Sequence, residues 1–215
     1  YYGTDNKLCL HPEDGYAKYI IEYDEYGNRT NEAFYGITDK LVDCRYGYAQ
    51  NITVYNTNGM LTSDVYRNAI GELVLGPNGY AKYVVDYDTN ANPVNKAFYG
   101  TEDELVLGPM GYAKNTTYYD DGKIVKDIYY NAWEELVVGP DGYAKAVVKY
   151  DTNGKMSSAT FYDADGNIIS EKRGAMAGTC LSTFLANVYL MDLDKYFFDN
   201  NITYARYSDD IIIFA

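Results

Sequence analysis

Histidine is almost missing from this chain. His11 is the only one, which argues against a His-based triad or a zinc site elsewhere in the chain. Cysteine is nearly as scarce. Cys9, Cys44 and Cys180 stand at no paired or metal-ligand spacing, a usage that fits a reducing compartment and predicts a cytoplasmic location. No run is long and apolar enough for a membrane span. Basic residues are outnumbered, 18 against 31 acidic, for a formal net charge of −13. Tryptophan occurs once, as Trp133.

Tyrosine is what the chain has in excess. There are 27 tyrosines in 215 residues, and 47% of the sequence is hydrophobic. That composition supports folded structure throughout rather than disorder. Gly-Tyr-Ala recurs with its glycine at 15, 47, 79, 111 and 142. A clear unit runs Gly79-Tyr-Ala-Lys-Tyr-Val-Val-Asp-Tyr-Asp88, Thr-Asn-Ala-Asn-Pro93, Val-Asn-Lys-Ala-Phe-Tyr-Gly100 and Glu104-Leu-Val-Leu-Gly-Pro109. The last interval is one residue short, and the loss falls where Asp120-Asp-Gly122 replaces Thr89-Asn-Ala-Asn-Pro93. Deletions concentrate in loops. Runs of Tyr, Val, Ile and Thr punctuated by Asn-Gly, Asp-Gly and Gly-Pro predict a β-hairpin followed by a turn in each unit. A period of about 32 residues predicts an array whose units bury their faces against neighbours. The expected interior is Tyr and Val, with Asp, Asn and Lys outside. Trp133 has no Trp counterpart in other units and reads as a surface variation.

The last residues follow a different pattern. Tyr204-Ala-Arg-Tyr-Ser-Asp-Asp-Ile-Ile-Ile-Phe-Ala215 reads as strand, tight turn, strand, with Asp209 and Asp210 held at the turn. Adjacent carboxylates suit a hard divalent cation such as Mg²⁺, and two-metal phosphoryl transfer needs such a platform. The tetrapeptide alone is weak, since Tyr118-Tyr-Asp-Asp121 matches it inside a repeat. Its surroundings separate the second copy. Upstream lies Gly174-Ala-Met-Ala-Gly178-Thr-Cys-Leu-Ser182-Thr-Phe-Leu-Ala-Asn187-Val-Tyr-Leu190, and the apolar spacing of Leu181, Leu185 and Val188 predicts a helix from about Leu181 to Phe198.

These two blocks, in this order, resemble the palm of bacterial reverse transcriptases, those of retrons, group II introns and diversity-generating elements. The resemblance covers about Glu171 to Ala215. It implies that Asp209 and Asp210 are catalytic and hold Mg²⁺ in a two-metal site of the complete enzyme. It also implies that Gly178, Ser182, Asn187 and Tyr207 lie beside the template, the primer end and the incoming nucleotide. RNA template, DNA primer and dNTP would be the partners. The palm strand carrying the first catalytic Asp is not found before Glu171, nor are the fingers and thumb. The expected function is thus an RNA-directed DNA polymerase in fragment form, inactive by itself. The array is read either as an insertion within such an enzyme or as a repeat protein joined to a decayed element. The competing reading is a non-enzymatic, acidic β-repeat binding or surface module with an inert polymerase remnant.

The expected fold class is therefore mainly β: an array of hairpin repeats over residues 1–170, followed by an α/β palm fragment, helix plus catalytic hairpin, over 171–215. Residues 171–215 hold 4 basic and 6 acidic residues, leaving 14 and 25 in the array, a net of −11 there. Such an array repels phosphate backbones. Its expected partner is a protein or a carbohydrate, not nucleic acid.

Overall fold

The computed structural model describes residues 1–4, 6–169, 190–200, 202–207 and 210–213, with the backbone alone at 192, 205–207 and 210–212. Two compact units divide the chain, 1–169 and 170–215.

The first unit is a ten-stranded antiparallel meander in which neighbours in sequence are neighbours in the sheet. The strands are β1 (Lys18–Tyr23), β2 (Arg29–Tyr35), β3 (Gln50–Tyr55), β4 (Leu61–Arg67), β5 (Lys82–Tyr87), β6 (Pro93–Tyr99), β7 (Lys114–Asp120), β8 (Lys123–Tyr130), β9 (Lys145–Tyr150) and β10 (Met156–Tyr162). Each repeat is one hairpin, as its sequence predicts. Within the β5–β6 hairpin, pairing extends from Lys82↔Tyr99 to Tyr87↔Pro93. Between hairpins it is short: Asn31↔Ile52, Glu32↔Asn51 and Ala33↔Gln50 join β2 to β3.

The hairpin turns are fixed by their own side chains. In the first, Asp24 accepts the backbone N–H groups of Tyr26 and Asn28 at 2.9 and 2.8 Å, and Gly27 takes a left-handed φ of 83°. Asp88 accepts those of Asn90 and Asn92 in the same way. The side-chain amides of Asn28 and Asn92 also bond these carboxylates and hold both below the usual range. The shortened unit closes differently. Asp120 pairs with Lys123, leaving Asp121 (φ 47°) and Gly122 (φ 70°) as a two-residue turn of the Asp-Gly kind.

The recurring Gly-Tyr-Ala stitches one hairpin to the next. Ala49 is fully buried. Its N–H donates to Arg67 of its own unit, and its carbonyl accepts from Phe34 of the preceding one. Ala81 and Ala113 repeat both bonds. The tyrosine between Gly and Ala enters an aromatic ladder. Eleven rings (Tyr1, Tyr16, Phe34, Tyr48, Tyr66, Tyr80, Phe98, Tyr112, Tyr129, Tyr143, Phe161) follow one another at centroid spacings from 4.7 to 5.9 Å. From Tyr16 to Phe161 connector tyrosines alternate with aromatics of the even-numbered strands, and each ring inside the ladder touches the one before and the one after it. Tilted and edge-to-face pairs at these distances add about 0.5–1.5 kcal/mol each beyond their area burial. Connector residues Cys44, Val74, Val106 and Val137 pack against the ladder, and glycine occupies the tightest approaches. A Cβ on Gly76 would lie 2.5 Å from the Tyr66 ring.

The expectation that Asp, Asn and Lys stay outside fails at particular positions. Asn51, Asn115 and Asp127 are buried, Asn51 at 2% exposure. They survive there because they hydrogen-bond one another, as described below. Trp133 is 78% exposed, at a turn tip.

In the second unit, helix α1 covers Met191–Asp199 and a hairpin pairs β11 (Tyr204–Tyr207) with β12 (Asp210–Ile213). The predicted helix is thus described over its C-terminal part, and its start at Leu181 lies outside the described residues. No described helix is long and apolar enough to cross a membrane.

Candidate functional site

The sequence points to the helix and hairpin of the second unit. Helix α1 ends at Asn200, whose backbone N–H and side-chain amide both donate to the Tyr196 carbonyl, at 3.1 and 2.8 Å. The chain then folds back at once. Ile202 N–H donates to the Phe197 carbonyl, and Phe197, 8% exposed, packs on Tyr204 with ring centroids 4.7 Å apart. The Tyr204 hydroxyl donates to Asp194 at 2.7 Å. An aromatic contact and a charge-assisted hydrogen bond therefore fasten the first residue of β11 to the helix.

From there the register is set. Tyr204 pairs with Ile213, Ala205 with Ile212, Arg206 with Ile211 and Tyr207 with Asp210. Positions 208 and 209 fall between the last paired residues. Asp210 is the first residue of β12 and pairs with Tyr207 at the turn end of the hairpin. Asp209 lies outside the described residues, as do Gly178, Ser182 and Asn187. Of the six candidate residues, Tyr207 and Asp210 are brought together, as cross-strand partners.

The accidental copy at Tyr118–Asp121 supplies a comparison. It also falls on a hairpin, but two positions out of register. There the first Asp of the pair, Asp120, is the last paired residue, and the second, Asp121, stands in the turn. At the second copy Tyr207 and Asp210 are themselves the last pair. The Tyr-x-Asp-Asp pattern thus adopts two registers. Among the described residues no group of three or more His, Cys, Asp or Glu is placed to hold a metal.

Sequence reasoning passed over a second kind of polar cluster, inside the array. The carboxylate of Asp127, 7% exposed, accepts the Asn115 amide at 2.8 Å and the Thr117 hydroxyl at 2.7 Å on one oxygen. Its other oxygen accepts the Tyr143 hydroxyl at 3.2 Å. Two units earlier Asp64 repeats the arrangement, with Asn51 at 2.7 Å, Thr53 at 3.1 Å and Tyr80 at 3.3 Å. The intervening hairpin carries Tyr83, Val85 and Lys96 at the corresponding positions, and Tyr83 stacks on Phe98 at 4.7 Å. The chemical period of the array is therefore two units, not one. The signal was present in the sequence, as Asn-Ile-Thr at 51–53 and Asn-Thr-Thr at 115–117 against Tyr-Val-Val at 83–85.

Both oxygens of these carboxylates are occupied by protein donors, which makes them structural acceptors rather than free acids or metal ligands. Burial, with Asp127 beside them, raises Tyr129 and Tyr143 above the ordinary phenol value, and burial pushes Tyr83 up to about 12. Tyr83, Tyr129 and Tyr143 are thus neutral hydrogen-bond donors at any physiological pH. No protein-family model matches the chain, and no curated protein matches it.

Proposed function

We propose that the chain carries the catalytic hairpin of an RNA-directed DNA polymerase, with Asp209 and Asp210 as the metal-holding carboxylates. One observation supports the reading above the rest: the helix-to-hairpin order of the palm motif is matched by a hairpin whose last pair is Tyr207–Asp210 and whose first strand is fastened to the preceding helix through Phe197, Tyr204 and Asp194. In that frame Ser208 shapes the turn, Tyr207 packs near the primer end, and Gly178, Ser182 and Asn187 border the template and nucleotide.

Two adjacent carboxylates are hard oxygen donors, and that donor chemistry fits Mg²⁺. When bound, the metal supplies charge neutralisation at the phosphates. Asp209 is the direct ligand in this reading and Asp210 supports the site. The reading requires a third carboxylate, on a palm strand for which the sequence before Glu171 offers no match. The acidic array, at −11, repels phosphate backbones and takes no part in gripping the nucleic acid.

The test is DNA synthesis on an RNA template by the product of the complete coding frame that contains this chain. Synthesis should require Mg²⁺ and disappear in the Asp209→Ala, Asp210→Ala double variant. A complete product that folds and makes no DNA refutes the proposal, and so does synthesis that survives the double substitution.

A further inference from the structure

The face of the array turned away from the ladder carries a groove with no assigned role. It crosses β5, β6 and β7 and has a volume of about 790 Å³, within the range of small-molecule sites. Its floor is made of short side chains, the cross-strand pair Val84 and Ala97 on β5 and β6, with Thr116 of β7 in the neighbouring row opposite Asn95. Along one side runs a hydrogen-bonded polar row: Thr116 donates to Asn95 at 3.1 Å, and Asn95 donates to Asp86 at 3.4 Å. Tyr118 lines the same groove and is 47% exposed. Lys126 lies 4.9 Å from its ring centroid.

We propose that this groove binds a neutral polysaccharide chain. The row Asp86–Asn95–Thr116 mixes acceptors and donors, as vicinal hydroxyls require. An apolar ligand would bury that row without partners, at a cost. The exposed Tyr118 ring beside it takes the apolar face of a pyranose, while the small-residue floor leaves room for the ring's thickness. Charge decides against polyanions. Asp86 and Asp88 line the groove, and its one cation, Lys114, is already paired with Glu134 at 2.9 Å. The inference rests on the array alone and is independent of the polymerase reading.

The groove also recurs. A second one, of about 500 Å³, lies across β1, β2 and β3 at positions 64 residues earlier. It keeps two members of the polar row, with Asn31 donating to Glu22 at 3.1 Å; Ile52 replaces Thr116, and Gln50, at the position of Lys114, donates to Asn31 at 2.9 Å. Val54 stands where the first groove has Tyr118. Four strand spacings separate the two, roughly 19 Å at about 4.8 Å per strand. A long polymer can reach both sites, so the second binding step becomes intramolecular. The first groove is then the strong site and the second, lacking its aromatic wall, the weak one.

The experiment is calorimetric titration of the whole chain with hexasaccharides of β-1,4-glucose, β-1,4-N-acetylglucosamine and α-1,4-glucose. Polygalacturonate and a tyrosine-poor acidic peptide serve as the competing ligand classes. At least one neutral hexasaccharide should bind, and Tyr118→Ala should weaken it about tenfold or more with an unchanged circular dichroism spectrum. Val54→Tyr should tighten binding of the long polymer more than that of the hexasaccharide. Absence of binding by every neutral glycan overturns the proposal. So does affinity indifferent to both Tyr118→Ala and Asn95→Ala, or preference for the polyanion or the peptide.

Discussion

Removing the buried carboxylate of Asp127 tests whether the array is held by its polar clusters as well as by its rings. In Asp127→Ala the Asn115 amide, the Thr117 hydroxyl and the Tyr143 hydroxyl each lose an ionised acceptor. Hydrogen bonds to charged groups contribute about 1.5–3 kcal/mol each. Three of them give a gross loss of about 5–9 kcal/mol. Much of it is recovered. Asn115 keeps the Ile128 carbonyl at 3.2 Å, Thr117 keeps Asn115 at 3.4 Å, and half-buried Tyr143 can turn to water. The desolvation cost of the carboxylate also vanishes. A net destabilisation of about 3 kcal/mol remains. Asp127→Asn retains an acceptor for Asn115 and Thr117 and should cost only about 1 kcal/mol. Urea unfolding followed by both circular dichroism and tyrosine fluorescence measures the difference, and coincident transitions establish that one free energy describes it. If Asp127→Ala unfolds within about 0.5 kcal/mol of the parent, the cluster is not a stabilising network and the reasoning is wrong.

Two further outcomes follow from the ladder. Gly76→Ala drives a Cβ into the Tyr66 ring and should cost about 1–3 kcal/mol through overpacking. That cost should shrink in a Tyr66→Ala background in a double-mutant cycle, whereas Gly79→Ala, strained by its φ of +82° with open space around it, should show no such rescue. At high pH the buried tyrosines act together. Their folded values lie above the unfolded value near 10, so their contribution is fully present below pH 10 and is lost as pH rises through the folded values. Each tyrosine in that window removes about 1.4 kcal/mol per pH unit. Tyrosinate absorbance and loss of sheet circular dichroism should appear in one steep step; gradual ionisation with the sheet intact would refute the buried ladder.

The hairpins were legible in the sequence because turn chemistry is local. Asp-Gly at 121–122 and the Asx residues at 24 and 88 announce a turn without reference to anything distant. The stacking of connector rings on strand rings was not legible, because Tyr48 and Tyr66 meet only after the connector folds over the sheet. Gly-Pro at 76–77 shows the difference. It reads as a turn breaker, yet Gly76 has no left-handed φ; it is glycine because a ring passes over it. The buried Asn and Asp residues were misassigned for a related reason. Polar letters in a strand point outward by default, and only a partner at the matching register, Asp127 against Thr117, reverses that. At the hairpin of the second unit, the pairing of Tyr207 with Asp210 adds a register that the Tyr-x-Asp-Asp pattern does not specify, since Tyr118–Asp121 adopts another.

The alternation of polar and apolar hairpins gives the array a parity. Genes built of near-identical segments gain and lose copies by unequal recombination, and here the copies are not interchangeable. Losing one hairpin, such as β5–β6, would set two polar clusters side by side with no apolar hairpin between them. Losing two consecutive hairpins leaves the alternation intact. Lengths that differ by an even number of hairpins should therefore fold alike, and odd steps should leave a seam.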